Sequence, residues 1–277
     1  GISLRYRLYC NENRVHVFTS TGPFNTQEPH VHSVDAILRI TTDLKTEGAW
    51  WTDSNGLELL RRQRFSRPFT PINYTDMAGN EPVAINYFPV TSAALLSAGS
   101  GVCLSVLTSS SHGCSSMADG AIEFMMNRAA LESHGVTMTG NRLSTRHNII
   151  ALHQTRQAAA TSVRQQSVFF SNPPLLSVTP SFISESSPQR ETSGETSVET
   201  SAAPLSSSFP PQIHVLSLQV LPKNYDLNGF FGQDSEAAQE SDDAVQTTLL
   251  LRLRHIHQLD LDDSTAAVPV EVNLISA

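Results

Sequence analysis

Gly1-Ile-Ser-Leu-Arg-Tyr-Arg-Leu-Tyr9 opens the chain with a period of two: Leu4, Tyr6 and Leu8 alternate with Arg5, Arg7 and Tyr9. Successive side chains of a strand point to opposite faces, so this pattern predicts a strand with one apolar face. The alternation recurs along the chain. Val102, Leu104 and Val106 alternate with Cys103 and Ser105, and Ile122, Phe124 and Met126 oppose Glu123. Leu249, Leu251 and Leu253 alternate with Arg252 and Arg254, and Val268, Val270, Val272 and Leu274 with Glu271 and Asn273. Each run is short and bounded by Gly, Pro, Asn or Ser, as half-buried antiparallel strands are. Helical periodicity is confined to Gln154–Gln166, centred on Ala158-Ala-Ala160, with one or two further turns expected over Asn127–His134. Many short strands and few helices predict a mainly β fold, an antiparallel β-sandwich.

Three regions are expected. Residues 1–181 form the main β-sandwich region and 212–277 the C-terminal strands. Between them, 182–211 is a Ser/Thr/Glu-rich insertion in which Glu-Thr-Ser recurs at 191, 195 and 199. It holds too little apolar surface to offset the entropy of ordering, and is expected to be a disordered surface loop. The formal net charge of −8 belongs to two such stretches: four Glu against one Arg in 184–209, and five acids in 233–243. The remainder is neutral and has no basic stripe, so a nucleic-acid partner is not expected. No run of 18 apolar residues is present, so no membrane span is predicted.

Candidate chemistry is sparse. Glycoside hydrolysis needs two carboxyl groups across the scissile bond, yet Asp35, Asp43, Asp53, Asp119 and Glu123 have no distinguishing context. Asp53, in Thr52-Asp-Ser-Asn-Gly56, reads as a turn former. His30-Val-His32 and His255-Ile-His257 have a spacing that can bind zinc, but without a third ligand they read as surface or packing histidines. Cys103 and Cys114 either meet across a hairpin or serve as small buried hydrophobes, and Cys10 is left over. Asn73-Tyr-Thr75 is the single glycosylation sequon and favours the secretory route. The strongest polar constellation is Arg61-Arg-Gln-Arg64, with Arg67 nearby. Guanidinium forks suit sugar hydroxyls, carboxylates or a neighbouring domain, and equally suit a charged edge strand that deters aggregation. In a strand, Arg62 and Arg64 would share one face and Arg61 would take the other.

An ordered series of segments resembles the C-terminal half of family 38 glycoside hydrolases, the lysosomal type of α-mannosidase. Leu44-Lys-Thr-Glu-Gly48 leads into Trp51-Thr-Asp-Ser-Asn-Gly56 and the arginine run, and Glu81-Pro-Val83 precedes Asn86-Tyr-Phe-Pro-Val90. Leu104-Ser-Val-Leu-Thr108, Ser115-Ser-Met-Ala-Asp-Gly120 and Ile122-Glu-Phe-Met-Met-Asn-Arg128 follow in order, then Pro210–Leu218 and Leu249–His255. The resemblance implies a galactose-mutarotase-like super-β-sandwich within a retaining, zinc-dependent exo-α-mannosidase that trims mannose from N-glycans in the lysosome or secretory pathway. In that family the catalytic aspartates and zinc ligands lie on an N-terminal catalytic domain, the partner implied here together with mannose-containing glycans. No catalytic residue or metal ligand is then expected in these 277 residues, which alone would be inactive. The implied role is to brace that domain and lend an arginine to the rim of its sugar pocket. Carried over, the substrate-binding candidates are Arg61, Arg62 and Arg64, with Arg62 preferred. Where relatives often show three consecutive arginines, this chain has Arg62-Gln-Arg64.

Overall fold

The computed structural model describes residues 1–24, 33–56, 58–67, 82–99, 101–133, 136–138, 142–171, 209–220, 249–258 and 266–272. The insertion at 182–211 (save its last three residues), the acidic stretch at 233–244, Asn73, His30 and His32 lie outside these residues. The chain divides into two compact units, Gly1–Glu195 with His257–Val268, and Thr196–Ile256 with Pro269–Ala277.

The first unit is a two-sheet antiparallel sandwich with a helix on one outer face. Its larger sheet joins β1 (Ile2–Leu8), β2 (Arg14–Thr21), β12 (Ser144–His153), β8 (Cys103–Thr108), β7 (Ala93–Ser97), β4 (Ala49–Ser54) and β5 (Glu58–Gln63), in that spatial order. The facing sheet is built on β10 (Ala121–Ser133), which pairs with β3 (Ser33–Thr41), β9 (His112–Ser115) and β11 (Val136–Met138); β6 (Phe88–Val90) lies beyond β9. The second unit contributes an antiparallel pair, β13 (Ile213–Val220) and β14 (Leu249–His255), with a register shift between Val215 and Ser217.

Two apolar clusters share the larger sheet as a common wall. Between the sheets lie Val17, Trp50, Phe88, Val90, Leu96, Leu104, Val106, Ile122, Phe124 and Met126 among others. On the outer face, Trp51, Leu59, Leu95, Cys103, Leu107 and Ile149 pack against Ala159, Ala160 and Val163 of the helix α1 (Arg156–Ser171). The adjacent pair Trp50 and Trp51 thus sends one indole into each cluster, as strand alternation requires. Central strands β7 and β8 are buried on every residue because both their faces are covered. Thr155 starts α1 by accepting the Ala158 N–H at 3.1 Å, and two alanines let the helix lie close to the sheet.

Three expectations change. Asn127–His134 is not helical: residues 121–133 are one strand, and Asn127 to Ala130 pair with Ala36 to Ser33. The neighbouring strand supplies their hydrogen bonds and buries Ala129 and Ala130, which overrides local helix preference. Residues 268–272 form no strand, and Pro269 cannot donate to a ladder. Strand β1 is not half-buried but exposed throughout, because it is the sheet edge and none of the described residues covers it. Of the two readings of Cys103 and Cys114, the small buried hydrophobe holds: both are free and buried, in different sheets and different clusters. Burial pushes the Cys103 thiol up to about 12 and raises Cys114 well above the ordinary thiol range.

Two buried polar groups generate predictions. The Asp53 carboxylate, 2% exposed, accepts hydrogen bonds from the N–H groups of Thr91, Ser92 and Ala93 and from the Ser92 hydroxyl at 2.9–3.1 Å. Asp53→Ala leaves those donors buried and unpaired, and is expected to lower unfolding free energy by about 3 kcal/mol in urea titrations. A loss below about 0.5 kcal/mol would show that the turn does not depend on this carboxylate. His112 faces the Met125 carbonyl through Nδ1 at 3.0 Å, so that nitrogen carries the proton. Its Nε2 is buried without a partner among the described residues, and burial lowers the imidazole from 6.5 to about 4. The unfolded chain therefore binds the extra proton first, and stability is lost as pH falls from 6.5 to about 4. The expected contribution is about 3 kcal/mol. Comparing pH-dependent unfolding of His112→Gln with the parent should show a flatter decline across that window; identical slopes would refute it.

Candidate functional site

The arginine run lies on β5, the edge strand opposite β1, in a hairpin with β4 that turns at Asn55 and Gly56, both at positive φ. Asn and Gly tolerate that geometry, which is why the Ser54-Asn-Gly56 segment turns here. Asp53 anchors this hairpin to the start of β7. In the register, Arg62 stands opposite Trp50 and Arg61 opposite Trp51. Arg62 therefore faces the inter-sheet side and Arg61 the outer side.

Arg62 is half-buried. Its Nε donates to Thr52 Oγ1 at 2.9 Å, and its guanidinium carbon lies 4.6 Å from the Phe88 ring centre. Arg67 lies at the same distance from that ring. Burial, and secondarily the nearby Arg67 charge, lower the Arg62 proton affinity, but a guanidinium stays charged at neutral pH. The terminal nitrogens of Arg62 have no hydrogen-bond partner among the described residues. They are donors held in place by ring stacking and by Thr52.

The other cations are engaged differently. Arg67 donates to the carbonyls of Ile85 at 3.0 Å and Tyr87 at 2.8 Å, at the short 3₁₀ turn Ala84–Asn86. Asn86, fully buried, accepts the Phe65 N–H at 2.7 Å and donates to the Pro82 carbonyl at 2.8 Å. The segment Asn86-Tyr-Phe-Pro-Val90 is thus fastened directly to the end of the arginine strand. Arg64 is past the end of β5, where its Nε donates to the Ser116 carbonyl at 2.9 Å. Beside it, Asp119 accepts from Gly48 N–H and Thr46 Oγ1 at 3.0 Å each, and the Gly48 bond foremost holds its carboxyl low. Gly120 follows at φ +69°, where a Cβ would come within 2.5 Å of the Thr42 carbonyl oxygen, so the Asp-Gly pair has a steric requirement. Arg61 is exposed and donates to Gln63 Oε1 at 2.9 Å. It lines an open groove of about 700 Å³ with Trp51, Glu58, Gln63, Arg156 and Gln258. The Arg156 guanidinium covers the Trp51 ring at 4.9 Å.

The carboxylates weighed from sequence are mostly committed to structure. Asp35 takes a two-point ion pair from Arg128 at 2.6 and 2.9 Å. Glu123, 4% exposed, is paired with Arg39 at 2.6 Å and accepts the Tyr87 hydroxyl at 2.7 Å. Burial foremost, and then this bond, raise the Tyr87 phenol. Asp53 and Asp119 have the partners described above, and Asp43 is exposed. Among the described residues no three His, Cys, Asp or Glu groups cluster as metal ligands. His255 and His257 are described, and neither belongs to such a cluster. The structure thus gathers Arg62, Arg67 and Phe88 at one edge and separates Arg61 and Arg64 from them. The contribution of Phe88 is not visible in the arginine run, although the aromatic at the centre of Asn86–Val90 is its sequence trace.

Comparison with known proteins follows the same residues. The profile of the glycosyl hydrolases family 38 C-terminal domain matches residues 1–134. The chain is 32% identical to the lysosomal alpha-mannosidase of Mus musculus over 76% of its own length and 20% of the relative. It is 29% identical to the lysosomal alpha-mannosidase of Felis catus over 97% of this chain and 24% of that one. The Dictyostelium discoideum lysosomal alpha-mannosidase is 26% identical over the same shares. The chain spans between a fifth and a quarter of the length of these relatives. Residues 1–134, which hold β1 to β10 and the arginine strand with its Phe88 support, are the part of the chain that matches the glycosyl hydrolases family 38 C-terminal domain.

Proposed function

We propose that this chain is the β-rich C-terminal support of a retaining, zinc-dependent exo-α-mannosidase that trims mannose from N-glycans in the lysosome or secretory pathway. Its partners are a catalytic domain of the same protein and mannose-containing glycans. The observation that carries the reading is the placement of Arg62 within the family-matched residues: a half-buried, permanently charged fork whose terminal donors have no partner among the described residues. Such a group can donate to sugar hydroxyls at the rim of a pocket on an adjoining domain. Arg67 serves the position of Arg62, since it shares the Phe88 ring and donates to the carbonyls of Ile85 and Tyr87 beside it, whereas Arg64 is engaged by the Ser116 carbonyl. Arg61 points to the outer groove and is the weaker candidate.

Among the described residues no three ligand-type side chains converge. The metal and the two carboxyl groups of the reaction are assigned to the catalytic domain, and no step of catalysis is routed through this chain. Its share is binding and orientation: a charged hydrogen bond to the substrate contributes about 1.5–3 kcal/mol when well placed.

Two measurements test the reading. The purified 277-residue chain is expected to hydrolyse no p-nitrophenyl α-mannoside, whereas the longer enzyme carrying this sequence turns it over. Activity of the chain alone would overturn the division of labour. In the longer enzyme, Arg62→Ala should lower kcat/KM about ten- to hundredfold with unchanged circular dichroism, and Arg62→Lys should recover part of the loss. Unchanged kinetics would return the arginines to the role of a charged sheet edge, and mannose binding without any catalytic partner would favour a non-catalytic glycan-binding sandwich.

A further inference from the structure

A second polar cavity lies at the other end of the larger sheet, on its outer face. It has a volume of about 520 Å³ and is lined by Ser3, Arg5, Phe18, Ser20, Thr145 and His147, among others. Register explains why these meet. Ser3 pairs with Ser20 and Arg5 with Phe18 across β1 and β2, while Ser20 pairs with Thr145 and Phe18 with His147 across β2 and β12. All six therefore project from one face of three neighbouring strands, opposite the face that carries Val17 into the core. Five strand spacings, about 24 Å, separate β2 from β5, and Arg62 lies on the other face.

The cavity is cationic and rich in unengaged donors. Its lining contains no carboxylate, and Arg5 is the guanidinium on the cavity face, since Arg146, between Thr145 and His147 on β12, turns its side chain to the other face. Arg146 donates to Ser110 Oγ at 2.9 Å. Arg5 and the hydroxyls of Ser3, Ser20 and Thr145 have no side-chain partner among the described residues. The floor is held in place from below. His147 stacks on Phe18 with ring centres 4.1 Å apart, and Arg7 sits 5.2 Å from the centre of the Phe18 ring. A relay fixes the imidazole, His147 Nε2 to His16 Nδ1 at 3.0 Å and His16 Nε2 to Glu12 at 3.0 Å. Glu12 is also paired with Arg14 at 2.9 Å, so it does not neutralise Arg5.

We propose that this cavity binds a small oxyanion group, phosphate or sulfate, free or as the ester of a sugar. One guanidinium supplies the charge-assisted hydrogen bonds and three hydroxyls surround the remaining oxygens, the donor set such a tetrahedral anion needs. The absence of a carboxylate from the lining removes the competitor that ordinarily neutralises a surface arginine. This inference is independent of the mannosidase reading.

Isothermal titration of the 277-residue chain at low ionic strength, with inorganic phosphate, sulfate and glucose 6-phosphate, tests it. Saturable one-site binding is expected, weakened at least tenfold by Arg5→Ala and unaffected by Lys45→Ala, which removes the same charge elsewhere. The His147 ring resonances should move with the same saturation curve. Tighter binding of the ester than of phosphate would identify a sugar ester as the ligand, and equal binding would identify the free ion. Absence of saturable binding, equal weakening by the two variants, or unmoved His147 resonances would overturn the proposal.

Discussion

The buried carboxylate of Asp53 is the constraint on which the site depends. It sits on β4, one strand in from the sheet edge, and gathers three consecutive N–H groups at the turn into β7. A carboxylate accepting several buried donors is a strong, short-range fastening, and removing it would strand every donor at once. Through β4 it sets the register of β5, and through β5 the position of Arg62 over Phe88. An edge strand has neighbours on one side only, so its geometry is inherited from the strand inside it.

A second dependence runs through the thickness of the molecule. The larger sheet faces the smaller sheet on one side and α1 on the other, so its middle strands cannot be amphipathic. That is why β7 reads Ala-Ala-Leu-Leu-Ser with every residue buried, and why Trp50 and Trp51 stand side by side in sequence but in separate clusters. Toward β1 the cover ends. Ile2, Leu4, Tyr6 and Leu8 keep the alternation of a buried strand but are 46–74% exposed. The opposite face of the same strand carries Arg5, which lines the polar cavity, and Arg7, which lies over the Phe18 ring.

The arginines show how one residue type divides into structural and available groups. Arg64 and Arg67 donate to carbonyls that β pairing leaves open, and Arg39 and Arg128 meet carboxylates across β3 and β10. Arg62 and Arg5 retain donors without partners among the described residues, at opposite ends of one sheet and on opposite faces. A guanidinium cannot shed its charge on burial, so the half-buried Arg62 stays charged above the Phe88 ring, whereas Arg5 on the edge strand is exposed.

The sequence by itself determined the class of fold, the strands β1, β8 and β14 and the first half of β10, the position of α1 to within a few residues, and the family that residues 1–134 match. Those features follow from period-two and helical patterning or from ordered motifs, which are local properties of the chain. It also put Arg61 and Arg62 on opposite faces if the run were a strand, which holds for those two on β5, while Arg64 falls past its end. Tertiary structure alone decided the rest. Ala129 and Ala130 became strand because β3 offered a ladder, and Pro269 denied one to the valines around it. Asp53 was a turn former by composition, yet its oxygens found donors some forty residues away. Cys103 and Cys114, close in sequence, fell into separate clusters because the chain passes from one sheet to the other between them. Phe88 beneath Arg62, and Phe18 beside His147, meet only across strands distant in the chain. Pattern specifies which face a side chain takes; what lies across that face is set by packing between segments far apart, which no local period encodes.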